Sequence, residues 1–261
     1  MRKSGAFTRI ELVVVVAVIT FLLATVIPSL TPAREHAKRA VCLAHTRSLG
    51  ISWALYAEEN DDRIASAKTA RIQRIGDSDT FSMVLSSYHN EPSWSCWVPE
   101  HLWDNKKAHE AAITLGTLYP YNETRQIYRC PLGDQDQQRT YSIVDSMNGH
   151  EDFAGVSVRA VRKRSEIESP GTRMVFIDEG RVSSESWSIF PDRIQWWDSV
   201  SVQHGDGTTV GLADNSARYW QWVDERTIRF ARGEMDSIVS AQDNPDFDRI
   251  QEAVWTLKYR P

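Results

Sequence analysis

Leu12 to Leu30 reads LVVVVAVITFLLATVIPSL, nineteen residues without a charge. At about 1.5 Å per residue, a helix of that length matches the hydrocarbon core of a bilayer. Glu11 closes the stretch on one side and Arg34 on the other. A buried core helix is rarely this apolar over such a length at a chain start, so the stretch predicts a membrane-spanning helix. A cleaved secretory signal has a shorter apolar run, about 7–15 residues, followed by a small-x-small site. Thr31-Pro32-Ala33 is a poor version of that site. A plain signal anchor fits the length but leaves Glu11 unexplained.

The helical pattern runs on beyond the span. Ala37, Ala40, Val41, Ala44, Leu49, Trp53, Leu55 and Tyr56 recur at spacings of roughly three and four residues. Asn60-Asp61-Asp62 reads as the stop. A helix from Phe7 to about Asn60 is roughly 80 Å long. Pro28 takes one hydrogen bond out of it and predicts a kink or a loosened turn.

The residues before the span narrow the choice. Ser4-Gly5-Ala6-Phe7-Thr8-Arg9-Ile10-Glu11 resembles the prepilin cleavage signal, usually Gly followed by Phe-Thr-Leu-Ile-Glu. With Phe7 as the new N-terminus, Glu11 lies where that family has its Glu, and Pro28 where many type IV pilins have a helix-kinking Pro. Ala6 stands where the family usually has Gly. The resemblance implies cleavage between Ala6 and Phe7 by a prepilin peptidase, N-methylation of the new N-terminus at Phe7, and assembly with other pilin-like subunits through Glu11 and Pro28. It implies a leader at 1–6, a transmembrane helix at 7–33, the extracytoplasmic half of the helix at 34–60 and a globular head at 61–261. The protein is then expected as a single-pass protein of a bacterial inner membrane with a periplasmic head, in a type II secretion or type IV pilus-like system.

Further blocks resemble a large family of bacterial pilin-like proteins with a C-terminal signature of His, nine residues, then Asp-Gly. They are Arg34–Leu43, Tyr56–Asp61, Leu115–Tyr121, Ile127–Pro131 and Ser165 through Glu179. His204 followed by nine residues and Asp214-Asn215 supplies the signature, with Asn in place of Gly. The head of that family has no assigned chemistry.

Short β-branched or aromatic runs between turn residues predict strands at Gln126–Cys130, Thr140–Val144, Arg173–Asp178, Ser186–Phe190, Thr208–Ala213 and Ala217–Val223. The last two form an expected hairpin about Asp214-Asn215-Ser216. Asn244-Pro245 announces a C-terminal helix over Asp246–Leu257. The expected fold class is α+β: a long N-terminal helix, transmembrane in its first half, packed on a mainly antiparallel β head with a short C-terminal helix.

Composition sets outer limits. Hydrophobic residues make up 41% and charged residues 25%, which excludes wholesale disorder. Lys+Arg 30 against Asp+Glu 35 gives a net charge of -5, which argues against a nucleic-acid partner. No Gly-x-Ser-x-Gly, His-Glu-x-x-His, Cys-x-x-Cys or phosphate loop occurs, so no enzyme and no cofactor are expected. His204 and Asp214 invite a metal or catalytic pairing, but an extended Thr208–Ala213 puts them near opposite strand ends. Asp178-Glu179, Asp206 and Asp243/Asp246/Asp248 offer oxygens for Ca²⁺ without a complete ligand loop.

The ten Trp residues raise a second class of function, a tethered extracytoplasmic module with a Trp-rich ligand surface. Trp196-Trp197 and Trp220/Trp222 suit such a surface or a core, and Trp94, Trp97 and Trp103 are the better candidates for exposure. Cys96 and Cys130 are the preferred disulfide pair in an exported head, with unbridged thiols as the alternative.

Overall fold

α1 (Arg9–Glu59) begins at Thr8, whose side chain accepts a hydrogen bond from the Glu11 amide. Glu11 Oε2 in turn accepts from the Thr8 amide at 2.8 Å and from its hydroxyl at 2.8 Å, which completes a capping box. The helix is continuous through Pro28 and Gly50 and stops at Asn60, whose side chain donates to the Tyr56 carbonyl. A computed structural model describes residues 8–69, 71–75, 81–84, 95–99, 106–134, 136–153, 156–180, 182, 186–235 and 240–256.

The second half of α1 is amphipathic and docked. Cys42, Leu49, Trp53, Tyr56 and Ala57 form its buried stripe. They follow the i, i+3/i+4 spacing that puts side chains on one face of a helix.

The remaining elements follow in chain order. β1 (Arg71–Arg74) and β2 (Phe81–Val84) pair as an antiparallel ribbon. α2 (Lys106–Leu115) comes next. Then come β3 (Tyr141–Ile143), the ribbon of β4 (Asp152–Phe153) with β5 (Val156–Ser157), and β6 (Met174–Asp178). The hairpin of β7 (Gly207–Leu212) and β8 (Ala217–Gln221) leads into α3 (Glu225–Ala231) and α4 (Pro245–Trp255).

The central sheet has the order β3-β6-β7-β8, antiparallel throughout. Every residue of β6 and β7 is buried. α1 lies against β7 and β8, and α4 against β6. The face of β7 under α1 is built from small residues: a Cβ on Gly211 would come within 2.9 Å of Thr46 Cγ2. On the same face Arg39 of α1 stacks over Tyr219 of β8, 3.7 Å from the ring centroid.

Three expectations are corrected here. Among the described residues, no helix is long and apolar enough to cross a membrane. The transmembrane first half, and the fold plan built on it, are therefore set aside. In the head, α2, α3 and the ribbons β1–β2 and β4–β5 were unforeseen. Gln126–Cys130 is mostly a 3₁₀ turn over Arg125–Tyr128, closed by Arg129 N–H donating to the Gln126 carbonyl. Ser186–Phe190 forms only isolated bridges, to Val144 and Trp196. Ala6 and Phe7 lie outside the described residues, as do Trp94 and Trp103.

Candidate metal centre

Cys42 faces inward because it shares the buried stripe of α1 with Leu49 and Trp53. Cys130 follows the 3₁₀ turn, and the chain wraps its sulfur. Cys130 N–H donates to Thr140 Oγ1 at 2.8 Å, and Leu132 N–H donates to Cys130 Sγ at 3.4 Å. Asp178 ends β6, where its Oδ1 accepts from Gly180 N–H at 3.0 Å. His204 stands in the loop before β7, and its carbonyl accepts from Arg39 Nη2 at 2.6 Å and from the Tyr219 hydroxyl at 3.0 Å. Groups on α1 and β8 thus hold the His204 backbone in place.

These four side chains converge. His204 Nε2 lies 3.0 Å from Cys42 Sγ and 3.1 Å from Cys130 Sγ, and the two sulfurs are 2.8 Å apart. One ligand atom from each of Cys42, Cys130, Asp178 and His204 lies within 4.8 Å of the other three. All four residues have 0% exposure.

The electrostatics follow from crowding and burial. The hydrogen bond shared with Cys130 pulls the Cys42 thiol down to about 5, with His204 adding to the effect. The same bond, together with burial, pushes Cys130 up. Burial lifts the Asp178 carboxyl to about 7, and the charge on Cys42 adds to that. Two polar atoms of the group, Asp178 Oδ2 and His204 Nδ1, are buried without a hydrogen-bond partner among the described residues.

A thiolate pair, an imidazole and a carboxylate are ligand types for a borderline-soft cation. A Cys, a His and an Asp in contact also suit nucleophilic catalysis, but none of the four has surface through which a substrate could arrive.

The other residues singled out from sequence are scattered. Asp214 is not near His204's partners. It caps the β7–β8 turn, accepting from Ser216 N–H at 2.9 Å and from the Ser216 hydroxyl at 2.6 Å. Asn215 holds φ 65°, and it lies against Gly50 of α1. That left-handed backbone favours Gly or Asn, which accounts for the Asn here. Cys130 is not bonded to Cys96; its neighbour is Cys42.

The acidic groups do not gather for Ca²⁺. Asp206 pairs with Arg232 at 2.7 Å, and Asp246 accepts from the amides of Val223 and Asp224. Trp97, Trp196, Trp220 and Trp222 are buried, and Trp197 is half exposed. Glu11 is the capping-box acid described above, and Pro28 lies within α1.

Sequence reasoning found His204 and Cys130 but assigned them no common site, and it passed over Cys42 and treated Asp178 only as a Ca²⁺ ligand. The separations hid them: the two cysteines are 88 positions apart, and Cys42 and His204 are 162 apart. One signal was present. Each of the four falls in a different block that carries the resemblance to the pilin-like family. Comparison with protein-family models, with curated protein sequences and with solved structures finds no match for this chain.

Proposed function

We propose that this protein is a pilin-like structural subunit, processed before Phe7 by a prepilin peptidase and assembled with like subunits through the first half of α1. One observation carries the reading: the two halves of a single helix are treated oppositely. From Cys42 onward α1 is docked on the sheet. From Ile10 to Leu23 it is apolar and bare, with Ile10 77%, Phe21 70% and Val15 44% exposed. A continuous apolar surface of this kind marks an interaction site. A helix presenting apolar side chains on all sides suits packing among several parallel copies of itself, with the heads outside. The reading does not require α1 to cross a bilayer.

The alternative, a tethered ligand-binding module, gains no support from Trp97, Trp196, Trp220 and Trp222, which are core, while Trp94 and Trp103 lie outside the described residues. A structural role also suits a polar cluster sealed from substrate.

The test is co-production of the full chain with a prepilin peptidase, followed by mass measurement of the product. A mature mass beginning at Phe7, with subunits recovered as multimers, is the expected result. Intact Met1 in the presence of active peptidase, with the chain recovered as a monomer, contradicts it.

A further inference from the structure

We propose that Cys42, Cys130, Asp178 and His204 bind one zinc ion in a closed tetrahedral site that fastens α1 to the head. The inference stands apart from the assembly reading, since it concerns only the docked half of α1 and the sheet.

The donor set selects the metal. Two sulfurs, one imidazole and one carboxylate supply four ligands of the types that zinc takes in tetrahedral geometry. Ca²⁺ and Mg²⁺ call for all-oxygen shells, and a carboxylate is a poor partner for Cu(I). Full burial of all four ligands leaves no open position for water, as in structural rather than catalytic zinc sites.

The unsatisfied atoms point the same way. Asp178 Oδ2 is buried with a free lone pair, an arrangement that is costly unless something binds it. His204 Nε2 is the ring nitrogen turned toward both sulfurs. The outer contacts are those that orient ligands: Leu132 N–H on Cys130 Sγ, Gly180 N–H on Asp178 Oδ1, and Arg39 and Tyr219 on the His204 carbonyl.

Binding forms two Zn–S bonds, one Zn–N bond and one Zn–O bond, and any proton on the four groups leaves to solvent. Zn–S bonds of about 2.3 Å at a tetrahedral angle set the sulfurs roughly 3.8 Å apart.

The fastening is long-range. The ligands come from α1, the turn after the 3₁₀ segment, the end of β6 and the loop into β7. A metal bridging such distant points closes large loops, where cross-links restrict the unfolded chain most.

The experiment measures zinc by mass spectrometry of elements in full-length protein passed over chelating resin, and counts thiols by alkylation after unfolding. Expected are about one zinc per chain and three alkylated cysteines. Cobalt(II) put in place of zinc should give the strong visible bands of a tetrahedral site and thiolate charge-transfer absorption. Cys130→Ser and His204→Ala should lower bound metal at least tenfold, while Cys96→Ser keeps it. If either variant fails to fold, the metal content and cobalt spectrum of the unaltered protein still decide. Metal-free protein overturns the proposal, whether its Cys42 and Cys130 are joined as a disulfide or both remain thiols. So does metal retained by Cys130→Ser and His204→Ala together.

Discussion

His204 Nε2 lies 3.0 Å from Cys42 Sγ across 162 residues of sequence. That contact joins the loop leading into the β7–β8 hairpin to the middle of α1, beside the place where Arg39 lies over Tyr219. If zinc occupies the cluster, removing it should weaken the junction. Zinc at about 100 times its Kd adds about 2.7 kcal/mol to folding. For a chain of this size that is a rise of roughly 5–10 °C in Tm over chelated protein. Differential scanning calorimetry with and without a zinc chelator checks it, and equal midpoints would refute the stabilising role.

Close approach of α1 to β7 depends on Gly211. A methyl group there meets Thr46 Cγ2 at 2.9 Å and Phe176 Cβ at 3.2 Å. Gly211→Ala should cost about 1–3 kcal/mol by overpacking, read as a lower denaturant midpoint. Gly211→Val should cost more. An unchanged midpoint for both would mean that α1 does not rest on this strand.

Leu49 is fully buried on the docked face of α1. Leu49→Ala should destabilise by about 2–5 kcal/mol in urea unfolding, since it leaves a cavity between helix and sheet. Ile51 of the same turn is 44% exposed, and Ile51→Ala should shift stability by less than about 1 kcal/mol. Equal effects at the two sites would contradict the described docking face.

Asn215 is the turn residue that replaces Gly in the signature, and its φ of 65° gives a graded test. Asn215→Gly should be nearly neutral, whereas Asn215→Val should cost about 1–2 kcal/mol because a β-branched side chain resists the left-handed region. Thermal unfolding of the two variants separates them. Equal stability would show that the turn relaxes freely.

What could be read from the sequence was local. The β7–β8 hairpin followed from β-branched runs about Asp214-Asn215-Ser216, and α4 from the Asn244 cap and Pro245. Those signals are made by neighbouring residues. α2 was missed although Lys106–Leu115 is rich in strong helix formers, and α3 because seven residues give too short a periodic signal; packing of Ile228 and Phe230 stabilises it. The cluster was missed for a stronger reason. Its ligands share no spacing pattern, and only the sheet order β3-β6-β7-β8 with α1 across it brings them together. The apolar run is the converse case: nineteen uncharged residues suggested a bilayer span, whereas among the described residues no helix is long and apolar enough to cross a membrane.

Glu11 separates two roles for the start of α1. It accepts both Thr8 hydrogen bonds through Oε2, and those bonds hold its carboxyl below the ordinary range. Glu11→Gln keeps a capping-box side chain but removes the charge. If the carboxylate pairs with the amine of a processed neighbouring subunit, Glu11→Gln should lower multimer yield at least tenfold with helix content unchanged by circular dichroism. Multimers at the unaltered level would leave Glu11 as a cap alone.

The assembly arm itself is tested most directly by a disulfide-crosslinking scan. Single cysteines placed in turn from Leu12 to Leu23 of the full chain, in cells that contain the peptidase, are oxidised and the products resolved by size. Packing of α1 among several neighbouring copies predicts crosslinked multimers from positions on every face of the helix, Val15, Ile19, Phe21 and Leu22 included. A cysteine at Val223, exposed on the head, should give little product by comparison. Crosslinks along the arm no more abundant than those at Val223 would contradict assembly through this helix.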